Sequence, residues 1–482
     1  MAAARLRSAA AVAIATAIPT AAARPPLLRL PALLPVPGAA RLRLSSCRIP
    51  PPRGAAAAMS SLSSATAEHE AGAWYAVPGL SLREHRFAVP LDHSSPDEGA
   101  AITVFAREVV AAGKEEASLP YLLYLQGGPG FESPRPMEAG GWLKKACEDH
   151  RVVLLDQRGT GLSTPLTASS LSQITSPAKQ SYGGFCAVTY LSFAPEGLKS
   201  VLLTGGLPPL GEPCTAQTVY RACFKMVQQQ NEKYYKRYPQ DIQVIHEIVR
   251  YLSESEGGGV LLPSGGRLTP KMLQCLGLAG LGSGGGFERL HYLLERVWDP
   301  VLVPGAKRSI SYYFLKEFDM WLGFDQNPLY ALLHESIYCE GSSSRWSAEK
   351  IRSEYESLFD PIKATEEGRP VYFTGEMVFP CMFDEIHALR DLKEAAHLLA
   401  EKEDWPPLYD VSKLNNNKVP VAAAIYYEDM YVNFNIAKET ASQIAGIRLW
   451  VTNEYMHSGI RDGGSHVFEH LMGLLNGKKP LF

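Results

Sequence analysis

The 482-residue sequence is most informative at first through what it lacks. It has almost no surplus of charge, −3 at neutral pH, so it offers no electrostatic footprint for nucleic acid, and no basic run marks a membrane surface. No apolar run is long enough to span a bilayer. Its eight cysteines stand singly, without a Cys-x-x-Cys pair or a Cys/His ligand spacing, so neither a disulfide framework nor a zinc site is expected. No repeat is visible. These absences point to a soluble intracellular protein without a nucleic-acid or membrane partner, metal or cofactor.

One absence is local. No acidic residue precedes Glu68, while Arg5, Arg7, Arg24, Arg29, Arg41, Arg43, Arg48 and Arg53 punctuate an Ala-, Pro- and Leu-rich leader. Arg-rich, Ser-containing and acid-poor is the composition of an organelle transit peptide, with a secretory signal as the rival over Ala9–Ala23. A chloroplast or mitochondrial location is expected, or the cytoplasm if translation starts at Met59. Residues 1–70 are expected to lie outside the fold.

Beyond that leader, short β-type runs begin. His85–Val89 and Ile102–Val109 flank a turn-rich stretch and read as an antiparallel pair. Tyr121–Leu125 and Arg151–Asp156 are apolar runs that each end in a glycine-rich loop, the pattern of an open, mostly parallel sheet with its site at the strands' C-terminal edge. Leu198–Leu203, Val419–Tyr426 and Gly446–Val451 read as further buried strands. Between them, residues 208–400 carry helical periodicity, as in Val219–Tyr235, Gln243–Ser253 and Glu288–Val297. The organisation is therefore a core in two parts, 71–207 and 401–482, interrupted by a helical cap at 208–400.

The chemistry centres on Gln180-Ser181-Tyr182-Gly183-Gly184-Phe185. A serine followed closely by two glycines and an apolar helix suits a nucleophile elbow, a turn so tight that bulky neighbours clash. The N–H of Tyr182 and those of Gly127 and Gly128, in Gln126-Gly127-Gly128-Pro129-Gly130, are the expected oxyanion donors. A triad in this arrangement runs Ser, then acid, then His. Asp429 follows the run Val419–Tyr426 and His457 follows Gly446–Val451, so both fall at strand C-terminal ends. His457 would take the proton of Ser181 while Asp429 holds the imidazole tautomer. His466 and His470 are rivals placed on a terminal helix.

Gly-Gly-Pro-Gly after a strand, then Asp156-Gln157-Arg158-Gly159-Thr160-Gly161-Leu162-Ser163, then Ser-Tyr-Gly-Gly, resembles the proline iminopeptidase (prolyl aminopeptidase) family of serine peptidases. The resemblance runs from about Leu82 to Phe482. It implies an α/β-hydrolase fold with a helical cap, and release of an N-terminal residue such as proline from peptides with a free N-terminus through an acyl-enzyme. It also implies the triad Ser181, Asp429 and His457. Cap glutamates in such enzymes bind the substrate ammonium, and Glu335 and Glu376 are the candidates here. Asp156 and Arg158 are expected to brace their loop. An esterase or amidase of the same fold is the alternative.

Two features depart from the family pattern. Gln126 stands where the family carries histidine, and Lys179 stands where the elbow needs glycine. The polar stretch from Thr164 to Gln180 contains Pro177 and no β run, too short for a crossover helix and a strand together. One core helix and the nucleophile strand are expected to be missing, which would leave a gap in the sheet and an impaired enzyme.

Overall fold

The computed structural model describes residues 69–92, 101–165, 183–211, 215–301, 303, 305 and 307–478, together with the backbone of Ala11–Thr16. Its centre is a ten-stranded sheet. In chain order its strands are β1 (Ala11–Thr16), β2 (His69–Ala71), β3 (Tyr75–Val77), β4 (Leu80–Pro90), β5 (Ala101–Ala111), β6 (Tyr121–Gln126), β7 (Arg151–Leu155) and β8 (Leu198–Thr204). A small hairpin, β9 (Val260–Leu261) with β10 (Arg267–Leu268), stands apart. The last two strands, β11 (Val421–Tyr426) and β12 (Ile447–Thr452), return to the main sheet.

The order across the sheet is β12-β11-β8-β1-β6-β7-β5-β4-β2, with β3 paired to β4. From β12 to β7 every neighbour is parallel, and beyond β7 the pairing becomes antiparallel. Parallel strands need helical crossovers, and these cover both faces of the sheet. On one face, Gly141–Asp149 and Gly464–Leu475 pack over Leu122, Val152, Leu202 and Ala424. On the other, Gly183–Phe193 and Phe434–Ser442 pack over Val201, Leu203 and Ala423. This is the α/β-hydrolase fold.

The apolar runs became strands for a plain reason. β11 reads Val-Ala-Ala-Ala-Ile-Tyr and is buried at all six positions, so neither face can carry a polar side chain. β4 and β5 instead form a long antiparallel ribbon in register from Leu80↔Ala111 to Pro90↔Ala101. Toward its Pro90↔Ala101 end, exposed positions alternate along each strand, at Arg86 and Ala88 and at Ala101 and Thr103.

Where the sequence predicts a gap, the structure has a strand. β1, drawn from the leader, lies between β6 and β8, parallel to both, with Val12 beside Leu122 and Ser200. Residues 11–16 thus pair with both neighbouring strands. Residues 166–182, where a helix and strand were expected to be missing, lie outside the described residues.

Between β8 and β11 the chain leaves the sheet and builds a mainly helical layer with its own core. Its longest helices are Ala216–Arg237 and Asp241–Glu254. Aromatic residues dominate its interior: Tyr220, Phe224, Tyr234, Phe314, Phe318, Tyr330, Phe373 and Phe379 are all at most 2% exposed. The last turn of Ala216–Arg237 carries Lys236 and Arg237, which complement the negative end of the helix dipole. Among the described residues no helix is long and apolar enough to cross a membrane.

Candidate active site

The C-terminal ends of β6, β8, β11 and β12 converge on one place. After β11 the chain turns through Tyr427 and Glu428 to Asp429, which is fully buried. One carboxylate oxygen accepts the backbone N–H groups of Tyr431 (2.8 Å) and Val432 (2.9 Å). The other faces His457, whose Nδ1 lies 2.6 Å away. A buried carboxylate needs such partners, and these fix its orientation. His457 follows β12, is 7% exposed, and has the ring of Tyr431 against it at 4.6 Å. The Tyr431 hydroxyl donates in turn to the carbonyl of Leu278 in the cap. The two residues that the sequence pairs as acid and base are therefore in contact. The rival histidines are engaged elsewhere: His470 stacks on Trp450 at 3.9 Å, and His466 meets the same ring edge-on.

Ser181 and Tyr182 lie outside the described residues, but the helix that follows them does not. Gly183–Phe193 starts against the sheet edge so closely that side chains are excluded. A Cβ on Gly183 would sit 2.3 Å from the Leu125 carbonyl oxygen, and one on Gly184 would sit 2.3 Å from that of Gly206. One residue before Gly206, Gly205 is held at φ +60°, and a Cβ there would lie 3.3 Å from His457 Nδ1. This chain of close approaches brings the start of the helix beside His457. The glycine pair is read correctly from the sequence as a steric requirement.

The loop after β6 forms a second wall. Gly128 and Gly130 have φ of 71° and 90°, a left-handed path that glycine adopts readily. Gly127 is buried at the strand end. Gln126, where the resemblance leads one to expect histidine, is held inside the fold. Its Oε1 accepts from the Tyr124 hydroxyl (2.8 Å), and its carbonyl accepts from Gln157 Nε2 (2.9 Å). Asp156 braces the neighbouring loop, taking Ser133 N–H on one oxygen and Leu162 N–H on the other. Its ion pair is with Arg135, at 2.5 Å, a partner that sequence reading missed because 21 residues separate the two. Arg158 instead donates to the carbonyl of Leu91.

A cavity of about 900 Å³ opens over His457. Gly130, Phe131, Tyr330, Tyr431 and Ser458 form its wall near the histidine. Tyr330, from the cap helix Pro328–Leu333, donates its hydroxyl to Glu376 Oε1 at 2.8 Å. Burial, reinforced by the Glu376 carboxylate, raises the Tyr330 phenol well above its ordinary pKa and keeps it a donor. His334 lies 3.1 Å from the Glu376 carbonyl through Nε2, and burial lowers its pKa, favouring the neutral ring.

The two cap glutamates have different surroundings. Glu376 is half-buried among Tyr330 and His334. Glu335 is buried, and its oxygens accept the backbone N–H groups of Ser347 (3.1 Å) and Ala348 (2.8 Å) at the start of the helix Ser347–Glu354. Burial raises its pKa against those hydrogen bonds. The acidic residue type was legible in sequence, but its use as a helix anchor was not.

Among the described residues no group of three or more His, Cys, Asp or Glu side chains is arranged to hold a metal ion. No family model matches the chain. It is 42% identical over 433 residues to a proline iminopeptidase of Aeromonas sobria, a match that covers 83% of this chain and 98% of that protein. It is 34% identical over 434 residues to the proline iminopeptidase aneH of Aspergillus aculeatus, covering 81% and 93% respectively. A solved proline iminopeptidase of Mycobacterium smegmatis is 14% identical and covers 82% of this chain and 100% of that one, at a TM-score of 0.33, too slight a likeness to carry an argument. The near-complete span of the two sequence relatives, at these identities, places the chain in the proline iminopeptidase family of hydrolases.

Proposed function

We propose that this chain is a serine aminopeptidase that releases an N-terminal residue, proline foremost, from peptides with a free N-terminus. The observation that carries the reading is the 2.6 Å contact between His457 and Asp429 beneath a cavity whose roof reaches the Tyr330–Glu376 pair.

In this reading His457 Nδ1–H donates to Asp429, which leaves Nε2 free to take the proton of Ser181 as its Oγ attacks the scissile carbonyl carbon. The oxyanion accepts N–H groups of Gly127 or Gly128 and of Tyr182, and the positive end of the helix Gly183–Phe193 supports it. Collapse breaks the C–N bond, and the departing amine takes the proton from His457. Water, deprotonated by the same histidine, then releases the amino acid from Ser181. No step calls on a metal or cofactor.

Glu376 is the carboxylate proposed to meet the substrate's ammonium group, because an ammonium withdrawn from water needs an opposite charge. Glu335 helps indirectly by holding the cap helix at its back. The Arg-rich leader supports a transit peptide to chloroplast or mitochondrion, with a cytoplasmic form from Met59.

The test is hydrolysis of a proline arylamide by the purified full chain, with Ser181→Ala as control. Turnover lost in that variant supports the reading. Folded protein with no Ser181-dependent turnover overturns it, and faster cleavage of N-blocked esters assigns the chain to the esterases instead.

A further inference from the structure

We infer that Tyr431 is a positioning residue for the Asp429–His457 pair, and that its hydroxyl bond to the Leu278 carbonyl makes the seat of the cap a condition for the chemical step. The inference rests on the proposed reading of Asp429 as acid and His457 as base.

Tyr431 stands where two cores meet. At the end of β11, Tyr426 belongs to the apolar cluster of the sheet, with Leu122 and Leu202. Met430 and Tyr431, just beyond it in the chain, belong to the cluster of the cap, with Tyr220, Phe224 and Phe373. Asp429 therefore sits on the seam, and the two apolar residues after it are plugged into the cap.

This one residue reaches both members of the pair. The Tyr431 N–H donates to Asp429 at 2.8 Å, and its ring lies tilted by 46° against that of His457, 4.6 Å away. Asp429 in turn lies 2.6 Å from His457 Nδ1. A shift of Tyr431 moves acid and base together, and a misplacement of about 1 Å is enough to slow a reaction severely.

What holds Tyr431 comes from the cap. Leu278 lies in the short helix Gly277–Gly280, and the last carbonyls of a helix have no partner within it. The Tyr431 hydroxyl donates to the carbonyl of Leu278. Burial, with the carboxylates of Glu376 and Asp429 nearby, pushes the phenol well above its ordinary pKa and keeps it a donor. The Cys223 thiol, on the helix Ala216–Arg237, donates to the Tyr431 carbonyl at 3.7 Å.

The glycine-rich joint that follows Leu278 closes round the same ring. A Cβ on Gly282 would lie 2.4 Å from Cε2, Cζ and the hydroxyl oxygen of Tyr431, so no side chain fits there. One on Gly284 would lie 2.8 Å from Asp462 Oδ2, in the helix Gly459–Asp462 that follows His457. The joint therefore touches the loop of the acid and the turn of the base, and glycine is what lets it come so near.

The test removes the bond without removing the wall. Tyr431→Phe in the full chain keeps the ring that lines the cavity and loses only the hydroxyl. On a proline arylamide, kcat should fall roughly tenfold with KM within about twofold. The proton between His457 Nδ1 and Asp429, read as a downfield NMR signal that His457→Gln abolishes, should shift or broaden. Tyr330→Phe takes a hydroxyl from the same cavity wall but not from the pair, and should leave that signal in place. Gly282→Ala presses on the ring from the cap and should reproduce both effects of Tyr431→Phe, so it serves if that variant does not fold. A native kcat, an unmoved proton signal or a loss carried by KM alone, in either variant once folded, overturns the inference. Turnover by His457→Gln equal to that of the parent chain overturns instead the reading of the pair, and the proton signal then decides the positioning on its own.

Discussion

Tyr330 and Glu376 are joined across the cap by a hydrogen bond of 2.8 Å, and Tyr330 is the only member of the pair that also lines the cavity over His457. Its ring is clamped by Phe131 edge-on at 5.3 Å, Phe324 stacked at 5.7 Å and His334 edge-on at 5.3 Å. A clamped ring has little freedom to swing, so its hydroxyl holds the carboxylate in one place.

Removing that hydroxyl should loosen Glu376 without touching the reacting atoms. A hydrogen bond to a charged group contributes about 1.5–3 kcal/mol, so Tyr330→Phe is expected to raise KM for a proline arylamide roughly 10- to 100-fold with little change in kcat. Glu376→Gln should raise it further. Steady-state kinetics on the free-amine substrate, beside an N-blocked ester that neither variant should affect, checks both.

In the proposed mechanism Asp429 sets the tautomer of His457, and its second oxygen is held by Tyr431 and Val432. Asparagine keeps the shape but presents an N–H₂ or a neutral oxygen to the ring. Asp429→Asn is therefore expected to lower kcat by about 10⁴ with a near-native melting temperature. An equal loss in KM alone would contradict this role.

Glu108 gives the fold an acid-labile point far from the site. Burial raises its pKa, but hydrogen bonds from His85, Arg83 and Arg151 outweigh that and bring it down to about 2, from an ordinary 4.5. An acid depressed in the folded state adds stability that is complete above the unfolded pKa and is lost as pH falls through the folded one. Stability should thus fall by on the order of 2–3 kcal/mol between pH 4.5 and 2. Glu108→Gln should be less stable at neutral pH, because Arg151 and Arg83 lose their partner, and should show a shallower acid limb in denaturant titrations.

Gly183 has no room for a methyl group, since its Cβ would meet the Leu125 carbonyl, a backbone atom that cannot step aside. Gly183→Ala is expected to cost about 1–3 kcal/mol and to displace the helix start from His457. Thermal denaturation reads the first effect, and kcat reads the second.

The sequence made this site legible wherever function leaves a local mark. Glycines forced by close backbone approach, and acid and base placed just after buried strands, are visible without a structure. Asp429 and His457 could be named because strand ends can be found by hydropathy. What could not be read was long-range partnership. Arg135 and Asp156 meet only after the β6 and β7 loops fold together, and Glu335 looks like any carboxylate until its two backbone donors are known. β1 was hidden for a different reason. An alanine-rich apolar segment among arginines has the composition of a targeting leader, and composition says nothing about which slot a strand enters.

The pairing of β8 with β11, from Val201↔Val421 to Thr204↔Ala424, closes the cap at its two roots. It joins the half of the chain that carries Gly183 to the half that carries Asp429 and His457 through main-chain hydrogen bonds in a buried part of the sheet. A protease cut in an exposed cap loop, such as that around Val303, would sever the covalent link but leave this zip intact. The nicked protein should therefore migrate as one species under native conditions and as two fragments in denaturant, with the two halves of the candidate site still held face to face.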